Sequence, residues 1–299
     1  MLIAQPPQRH ESSQDASVNF VWQINEKEAI EARFVRRVDD YFIVYLSSHT
    51  GCNQACRFCH LTATKQTEMR EATLEDFLIQ VDTVLDYYDK EVAQGRQKKA
   101  RLIHFNWMAR GEPLLNSTVT NIKSGLFEAL RWRAKRRKLE PFFNVSSILP
   151  KECDLEQLHD WPSVEGLRLY YSLYSLDEHF RKRWIPKSHA PESVGKTLAQ
   201  WQDDGMEVVF HWAMIEGQND RPQDIEAIGQ YIKTYGLNVR FNLVRYNPYS
   251  EVQGQEPEDG ILLERFEQLQ HYVNTSSRIV PRVGFDIKAS CGMFVNAQH

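Results

Sequence analysis

The chain has no apolar run approaching the ~20 residues of a membrane-spanning helix. Its first residues, MLIAQPPQRHESSQDAS, lack a basic stretch followed by an apolar core. They therefore read as a disordered lead over 1–18 and not as a secretory signal. No internal repeat and no low-complexity linker interrupts the rest of the chain. Cysteine is scarce, at five residues, and without an export signal these thiols are expected to stay reduced in the cytoplasm. An excess of positive charge is also missing. Lys and Arg number 36 against 40 Asp and Glu, so overall charge does not predict nucleic-acid binding. The remaining composition is ordinary: 42% hydrophobic and 25% charged residues over 299 positions, enough for one large α/β domain or two small ones.

Three of the five cysteines stand together in GCNQACRFCH, as Cys52, Cys56 and Cys59. Three thiolates on one loop can hold three corners of a four-iron cluster and leave the fourth iron open. An open iron can chelate the amino and carboxylate groups of S-adenosylmethionine (SAM). The CxxxCxxC spacing, with Phe58 before the last cysteine, is the signature of radical-SAM chemistry. Zinc is the rival reading, with His60 as a fourth ligand. Zinc sites usually pair two close ligands with a distant pair, and the remaining cysteines, Cys153 and Cys291, are isolated. A disulfide inside so tight a loop is disfavoured by geometry.

Alternation predicts a hairpin over 19–24 and 31–37, then strands at 42–48, 102–108, 142–147, 167–173, 207–214 and 239–247. Helical periodicity marks 73–94, 118–137, 192–204, 222–235 and 260–276, with Thr73 as an N-cap. Six β-α units imply a parallel sheet curled into a partial (β/α)6 TIM-like barrel. The expected layout is the lead at 1–18, a hairpin extension at 19–40, and a barrel over 41–299 that ends in a segment carrying Cys291. Functional groups in such a barrel gather at the C-terminal ends of the strands. The cysteine loop, Gly111-Glu112, Asn144 and Ser146, Ser172-Leu173-Tyr174 and Asn247 all fall there. Glu112 can accept from the SAM ammonium, and Gly111 allows close backbone approach. Asn144, Ser146, Ser172 and Asn247 offer neutral donors and acceptors for the SAM carboxylate and ribose. Each taken singly is also an ordinary cap or turn residue. Cys291, in KASCGMF, reads either as a small buried apolar side chain or as a reactive loop thiol. Two basic runs, RWRAKRRK at 131–138 and RKRW at 181–184, are solvated helix faces or phosphate-binding patches.

From about Val21 to Met293 the chain resembles the RlmN/Cfr family of radical-SAM RNA methyltransferases, which modify an adenine of ribosomal RNA and in some members of tRNA. The resemblance is carried by SSHTGCNQACRFCHLTA, MARGEPLLN, YSLYS, NLVRYNPY and SCG, in the family's order. It implies that Cys52, Cys56 and Cys59 ligate a 4Fe-4S cluster, and that Gly111, Glu112, Asn144, the 172–174 stretch and Asn247 contact SAM. It further implies that Cys291 is methylated by one SAM. A second SAM then yields a radical that takes hydrogen from this methyl, and the carbon radical adds to carbon 2 or carbon 8 of adenine. Glu31 matches a proposed proton acceptor, given one extra residue between it and the cluster; an exposed hairpin carboxylate is the plain alternative. Flavodoxin or ferredoxin would donate electrons, RNA would be the partner, and no membrane is implied.

The sequence departs from the family pattern at several places. Asn144 stands where serine is common and Tyr174 where histidine is common. The family's resolving cysteine, seven residues before the first cluster ligand, is Tyr45 here, and a phenol cannot form the releasing disulfide. Cys153 is the spare thiol. The family's N-terminal accessory domain has no counterpart ahead of the hairpin. A different substrate or transferred group, on a small molecule, a DNA base or a protein, therefore stays open, as does an inactive nucleic-acid-binding relative with a structural cluster.

Overall fold

One continuous sheet organises the chain. In the computed structural model, which describes residues 1–296, ten strands lie side by side in sequence order. They are β1 (Gln8–Glu11), β2 (Val18–Gln23), β3 (Ala29–Val35), β4 (Tyr41–Leu46), β5 (Leu102–Trp107), β6 (Glu140–Ser147), β7 (Leu167–Tyr171), β8 (Glu207–Ala213), β9 (Arg240–Val244) and β10 (Arg278–Val280). The first four pair antiparallel and β4 through β10 pair parallel. Helices connect the parallel strands: α1 (His60–Ala63), α2 (Leu74–Ala93), α3 (Ser117–Thr120), α4 (Leu126–Arg136), α5 (Glu178–Trp184), α6 (Pro191–Asp203), α7 (Pro222–Tyr235) and α8 (Asp259–Gln270). This is the expected partial TIM-like barrel of mixed α/β class. The last three positions of the expected 41–299 unit lie outside the described residues.

The side chains divide by face. Phe42 and Val44 on β4, Phe105 on β5, and Phe143 and Val145 on β6 are fully buried. Phe127 of α4 packs edge-on against Trp107 (5.7 Å) and Phe143 (5.2 Å), so this face meets the helices. Each such side chain contributes roughly 1.5–3 kcal/mol by leaving water. The alternate positions point into the barrel, and several are polar: Tyr45 pairs with Asn106, and Asn106 with Asn144, across β4, β5 and β6, beside apolar Ile43 and Val244. Alternation of period two thus separates the helix-facing side chains from a mixed polar and apolar lining.

Four expectations are corrected. The lead over 1–18 contains β1, whose polar sequence QRHE pairs with β2. It is anchored because Asp76 accepts from the backbone of Leu2 (2.6 Å) and Ile3 (3.0 Å). Asp76 also completes the capping box of α2 with Thr73, the predicted N-cap. The helix expected over 118–137 is broken by Gly125, whose φ of 81° is left-handed, and only α4 continues. The helix expected over 260–276 stops at Gln270. Strand β10, three residues long, adds a seventh parallel strand.

The segment after β10 closes the barrel seam by crossing to the N-terminal strands. Gly284 donates to Asp15 (2.7 Å), and the Ser12 hydroxyl donates to Asp286 (2.7 Å). Arg33 on β3 donates to the carbonyls of Ala289 (3.0 Å) and Met293 (2.7 Å). Cys291 lies in the middle of this strap. No helix among the described residues is long and apolar enough to cross a membrane.

Candidate active site

The cysteine loop leaves the C-terminal end of β4 and folds on constraints visible in its residues. A Cβ at Gly51 would lie 2.4 Å from the carbonyl oxygen of Glu68, so only glycine fits there. Ala55 takes a left-handed φ of 57°. Cys59 caps the N-terminus of α1, and the N–H groups of Leu61 and Thr62 face its sulfur. Burial raises the pKa of all three thiols, and for Cys56 the neighbouring Cys52 and Cys59 raise it further. A set of mutually repelling thiols sharing one cavity is suited to a cationic metal group that draws them into thiolate form. No three His, Cys, Asp or Glu side chains among the described residues are placed to hold a single metal ion. His60 turns away from the loop, its Nε2 3.0 Å from the carbonyl oxygen of Asn247. The donor set therefore suits a cluster, whose corner irons each take one thiolate, better than one zinc ion.

The three cysteines line one cavity together with Gly111, Glu112, Ser146, Ser172, Tyr174 and Cys291. Glu112 is the chemically distinctive wall. It is buried, and its carboxylate accepts from the backbone of Leu114 (3.1 Å) and Ile148 (3.3 Å). Burial pushes its pKa up to about 7, against the pull of the Ser147 hydroxyl and those two N–H groups. A buried carboxylate held by neutral donors is a receptor for an ammonium, which fits the amino group of SAM. Gly111 has a φ of 96°, and a Cβ there would meet Ser48 Oγ at 2.5 Å and His49 Nδ1 at 2.6 Å. The turn therefore requires glycine at this position, which also lines the cavity.

Other expected contacts divide by depth. Ser146 and Ser172 face the cysteine cavity. Leu173 does not: it is fully buried, and its carbonyl accepts from Arg181 at 2.8 Å. Tyr174 does, held at a left-handed φ of 59° and stacked on Phe58 at 4.4 Å. Asn144 and Asn247 instead line a second, deeper chamber inside the barrel. The sequence cannot rank Asn144 against Ser146, because both point inward and differ only by one pleat. Cys291 lines both spaces, as do Met108 and His211. Its exposed surface opens onto these cavities, where desolvation pushes the thiol up to about 11 while Arg33 pulls it down.

Glu31 lines neither cavity, and the exposed-carboxylate alternative does not fit its place. It is fully buried and ion-paired to Arg33 (2.8 Å) and Arg110 (2.9 Å). Burial alone would raise its pKa, but the two guanidinium groups outweigh this and hold it below the usual range. The cluster acts as a clamp: Glu31 accepts from Val295 N (3.0 Å), and Arg110 donates to Val295 O (2.5 Å) and Gln66 (2.8 Å). Nothing local in the sequence marks Arg33 or Arg110 as part of this clamp, although Arg110 stands inside MARGEPLLN.

Tyr45 lines the deep chamber with Cys291, and Cys153 lies outside both cavities. The run at 181–184 is not a free basic surface. Arg181 is buried, donating to Leu173, Ser175, Ser188 and His189, and Trp184 is buried on Phe180. In the run at 131–138, Arg131, Arg133 and Arg137 pair with Glu165, Asp82 and Asp89. Exposed Trp132 carries Arg136 on its ring (4.7 Å). α4 ends just before β6 begins, so these residues lie at the strand ends opposite the cysteine cavity.

The chain resembles known proteins over most of its length. The chain is 28% identical to a probable dual-specificity RNA methyltransferase RlmN from Thermosynechococcus vestitus, over 97% of this chain and 80% of that one. It is 29% identical to a dual-specificity RNA methyltransferase RlmN from Nitratiruptor sp., over 86% and 68% of the two chains. A radical SAM methyltransferase from Sphaerobacter thermophilus has the same fold, with a TM-score of 0.76 at 18% identity, over 97% of this chain and 80% of that one. Residues 46–230, more than half the length, match the radical SAM superfamily, and the chain belongs to that superfamily.

Proposed function

We propose that the protein is a radical-SAM methyltransferase that acts on an adenine of RNA through Cys291. The observation that carries this reading is the position of Cys291, whose side chain lines the cysteine cavity and the deep chamber at once. A 4Fe-4S cluster and SAM are the cofactors of the superfamily, and the reduced cluster supplies an electron to the SAM sulfonium. Cys52, Cys56 and Cys59 would hold the cluster. Glu112 accepts from the SAM ammonium, while Ser146 and Ser172 offer hydroxyls to its polar edge.

Cys291 Sγ first gives up its proton to water and then, as a thiolate, takes the methyl of one SAM, whose sulfonium–methyl bond breaks and releases S-adenosylhomocysteine. The resulting thioether keeps its place between the two spaces because the strap is fixed on several sides. His60 N donates to Gly292 O (3.0 Å), and Arg33 holds the carbonyls of Ala289 and Met293. A methyl at this point is within the walls of both the cofactor cavity and the chamber where substrate would sit. Flavodoxin or ferredoxin in the cytoplasm suits the electron supply and the free thiols.

The relatives named for RNA methylation support RNA as the substrate. The test is expression in a host without its own adenine-methylating homologue, followed by measurement of 2- and 8-methyladenosine in digested ribosomal RNA and tRNA. Appearance of either nucleoside supports the reading. Their absence, with cluster and SAM cleavage intact, overturns it.

A further inference from the structure

The deep chamber is lined by two polar rungs that face each other across the barrel. On one side Asn106 and Asn144 are register partners on β5 and β6. On the other, His211 pairs with Asn242 and Asn242 with Arg278, across β8, β9 and β10. Barrel interiors are ordinarily filled with branched apolar residues, so this lining is unusual.

Several of these groups are held with one atom committed and one free. Asn144 Nδ2 donates to Asn106 Oδ1 at 2.7 Å, which fixes its amide and turns Oδ1 the other way. Asn144 is 1% exposed, and its Oδ1 has no partner. His211 is also buried, donates to the Asn242 backbone, and leaves Nδ1 unpartnered. Burial lowers its pKa to about 4, so the ring is neutral and Nδ1 is an acceptor. Two buried acceptors without donors point to a ligand that brings N–H groups.

The seam supplies the opposite character. Arg278, on edge strand β10, spends its donors on Asn242 Oδ1 (2.7 Å) and the Tyr41 hydroxyl (3.4 Å). Arg37, just past β3, donates to the Tyr45 phenol and feels Asp15 at longer range. Its Nε is buried without a partner. Phenol and amide partners do not neutralise a guanidinium, whereas Arg245 and Arg282 in the same chamber are paired with Glu256. A phosphate between Arg37 and Arg278 would meet two planar donor forks.

We propose that the chamber binds a nucleotide base through its exocyclic amino group, with Asn144 Oδ1 and His211 Nδ1 accepting its two N–H bonds and Arg37 and Arg278 taking its phosphate. This makes Asn144 and His211 the residues that choose the base, and it rests on the reading of Cys291 given above. An amino group can supply both hydrogens at once, which a ring lacking the amine cannot.

The test is calorimetric titration of the anaerobic, cluster-reconstituted, SAM-loaded protein with adenosine 5′-monophosphate, purine riboside 5′-monophosphate (the same ring without the amine) and adenosine. The amine is expected to improve affinity about tenfold, a typical value for one or two net hydrogen bonds. In Asn144→Leu the ratio should fall towards one, with cluster absorbance retained. Equal affinities for the two monophosphates in the unaltered protein would overturn the proposal, whether or not the variant folds. A preference that survives in Asn144→Leu would remove Asn144 from the base edge. Adenosine binding as tightly as its monophosphate would remove the arginines. RNA methylation without amine discrimination would defeat this proposal alone, and amine discrimination without RNA methylation would defeat the functional reading alone.

Discussion

Asn247 donates its side-chain amide to the carbonyl of Cys291 at 3.0 Å, while its own backbone carbonyl lies 3.0 Å from His60 Nε2. The end of β9, the cysteine loop and the C-terminal strap are thereby joined at one residue. Asn247 is a positioning residue here, because its amide holds the backbone of Cys291. Asn247→Leu should cost about 1 kcal/mol of stability for the missing hydrogen bond. It should also speed alkylation of Cys291 by iodoacetamide, read by peptide mass spectrometry, and slow methyl transfer. Unchanged alkylation would show that the strap stays in place without it.

Glu31 offers a sharper stability test. Glu31→Gln leaves Arg33 and Arg110 buried without their counter-charge, and the expected loss is about 3–5 kcal/mol in urea melts. The pH dependence follows from the sign of the shift. Its carboxyl is held below the usual 4.5, so the stability it contributes is complete above 4.5 and is lost as pH falls below it. A variant with normal stability and slow turnover would instead return Glu31 to a role in proton transfer.

Glu112 behaves in the opposite sense. Its pKa of about 7 means that it is protonated, and unable to pair with an ammonium, in mildly acidic solution. SAM affinity should fall about tenfold per pH unit below about 7. Without ligand, the same shift makes stability fall as pH rises from 4.5 towards 7, because the folded state holds the proton longer. Glu112→Gln should weaken SAM binding at neutral pH and flatten its acid limb. An acid limb of the same steepness in the variant would assign it to another group.

Tyr45 and Cys291 line one chamber, and Cys153 lies outside it. If release from Cys291 needs a second thiol, the protein should accumulate a covalent RNA adduct that added dithiothreitol clears. Tyr45→Cys should lower the trapped fraction, measured by denaturing gel. An equal trapped fraction in both proteins would show that release runs through another route.

Charge at the seam should govern RNA binding. Arg37→Ala with Arg278→Ala should reduce the slope of log affinity against log salt by about 0.7–0.9 for each phosphate no longer neutralised. Lys135→Ala with Arg136→Ala, at the far ends of the strands, should leave it unchanged. The reverse pattern would move the interface to α4.

Much of the fold was legible in the sequence because it rests on short-range periodicity. The strands β4–β9, the Thr73 cap and the placing of the cysteine loop after β4 all follow from local pattern. The features that could not be read depend on long-range geometry. Strand β1 has a polar sequence, and the residues on either side of it are held by Asp76 and Asp286 from distant segments. Asn144 and Ser146 share a face, and only barrel depth separates them. Arg181 and Trp184 look like a basic surface run until the turn of α5 buries both. Glu31 looks like a hairpin carboxylate until Arg110, seventy-nine residues away, reaches it.

The central claim is that Cys291 carries the transferred carbon. It is tested most directly by incubating the anaerobic, reconstituted protein with methyl-deuterated SAM, then RNA, and following the Cys291 peptide and the RNA nucleosides by mass spectrometry. The account predicts a labelled methyl on Cys291 before RNA is added and label in methyladenosine afterwards. Labelled RNA from a protein whose Cys291 never carries the label, or from Cys291→Ala, would contradict it.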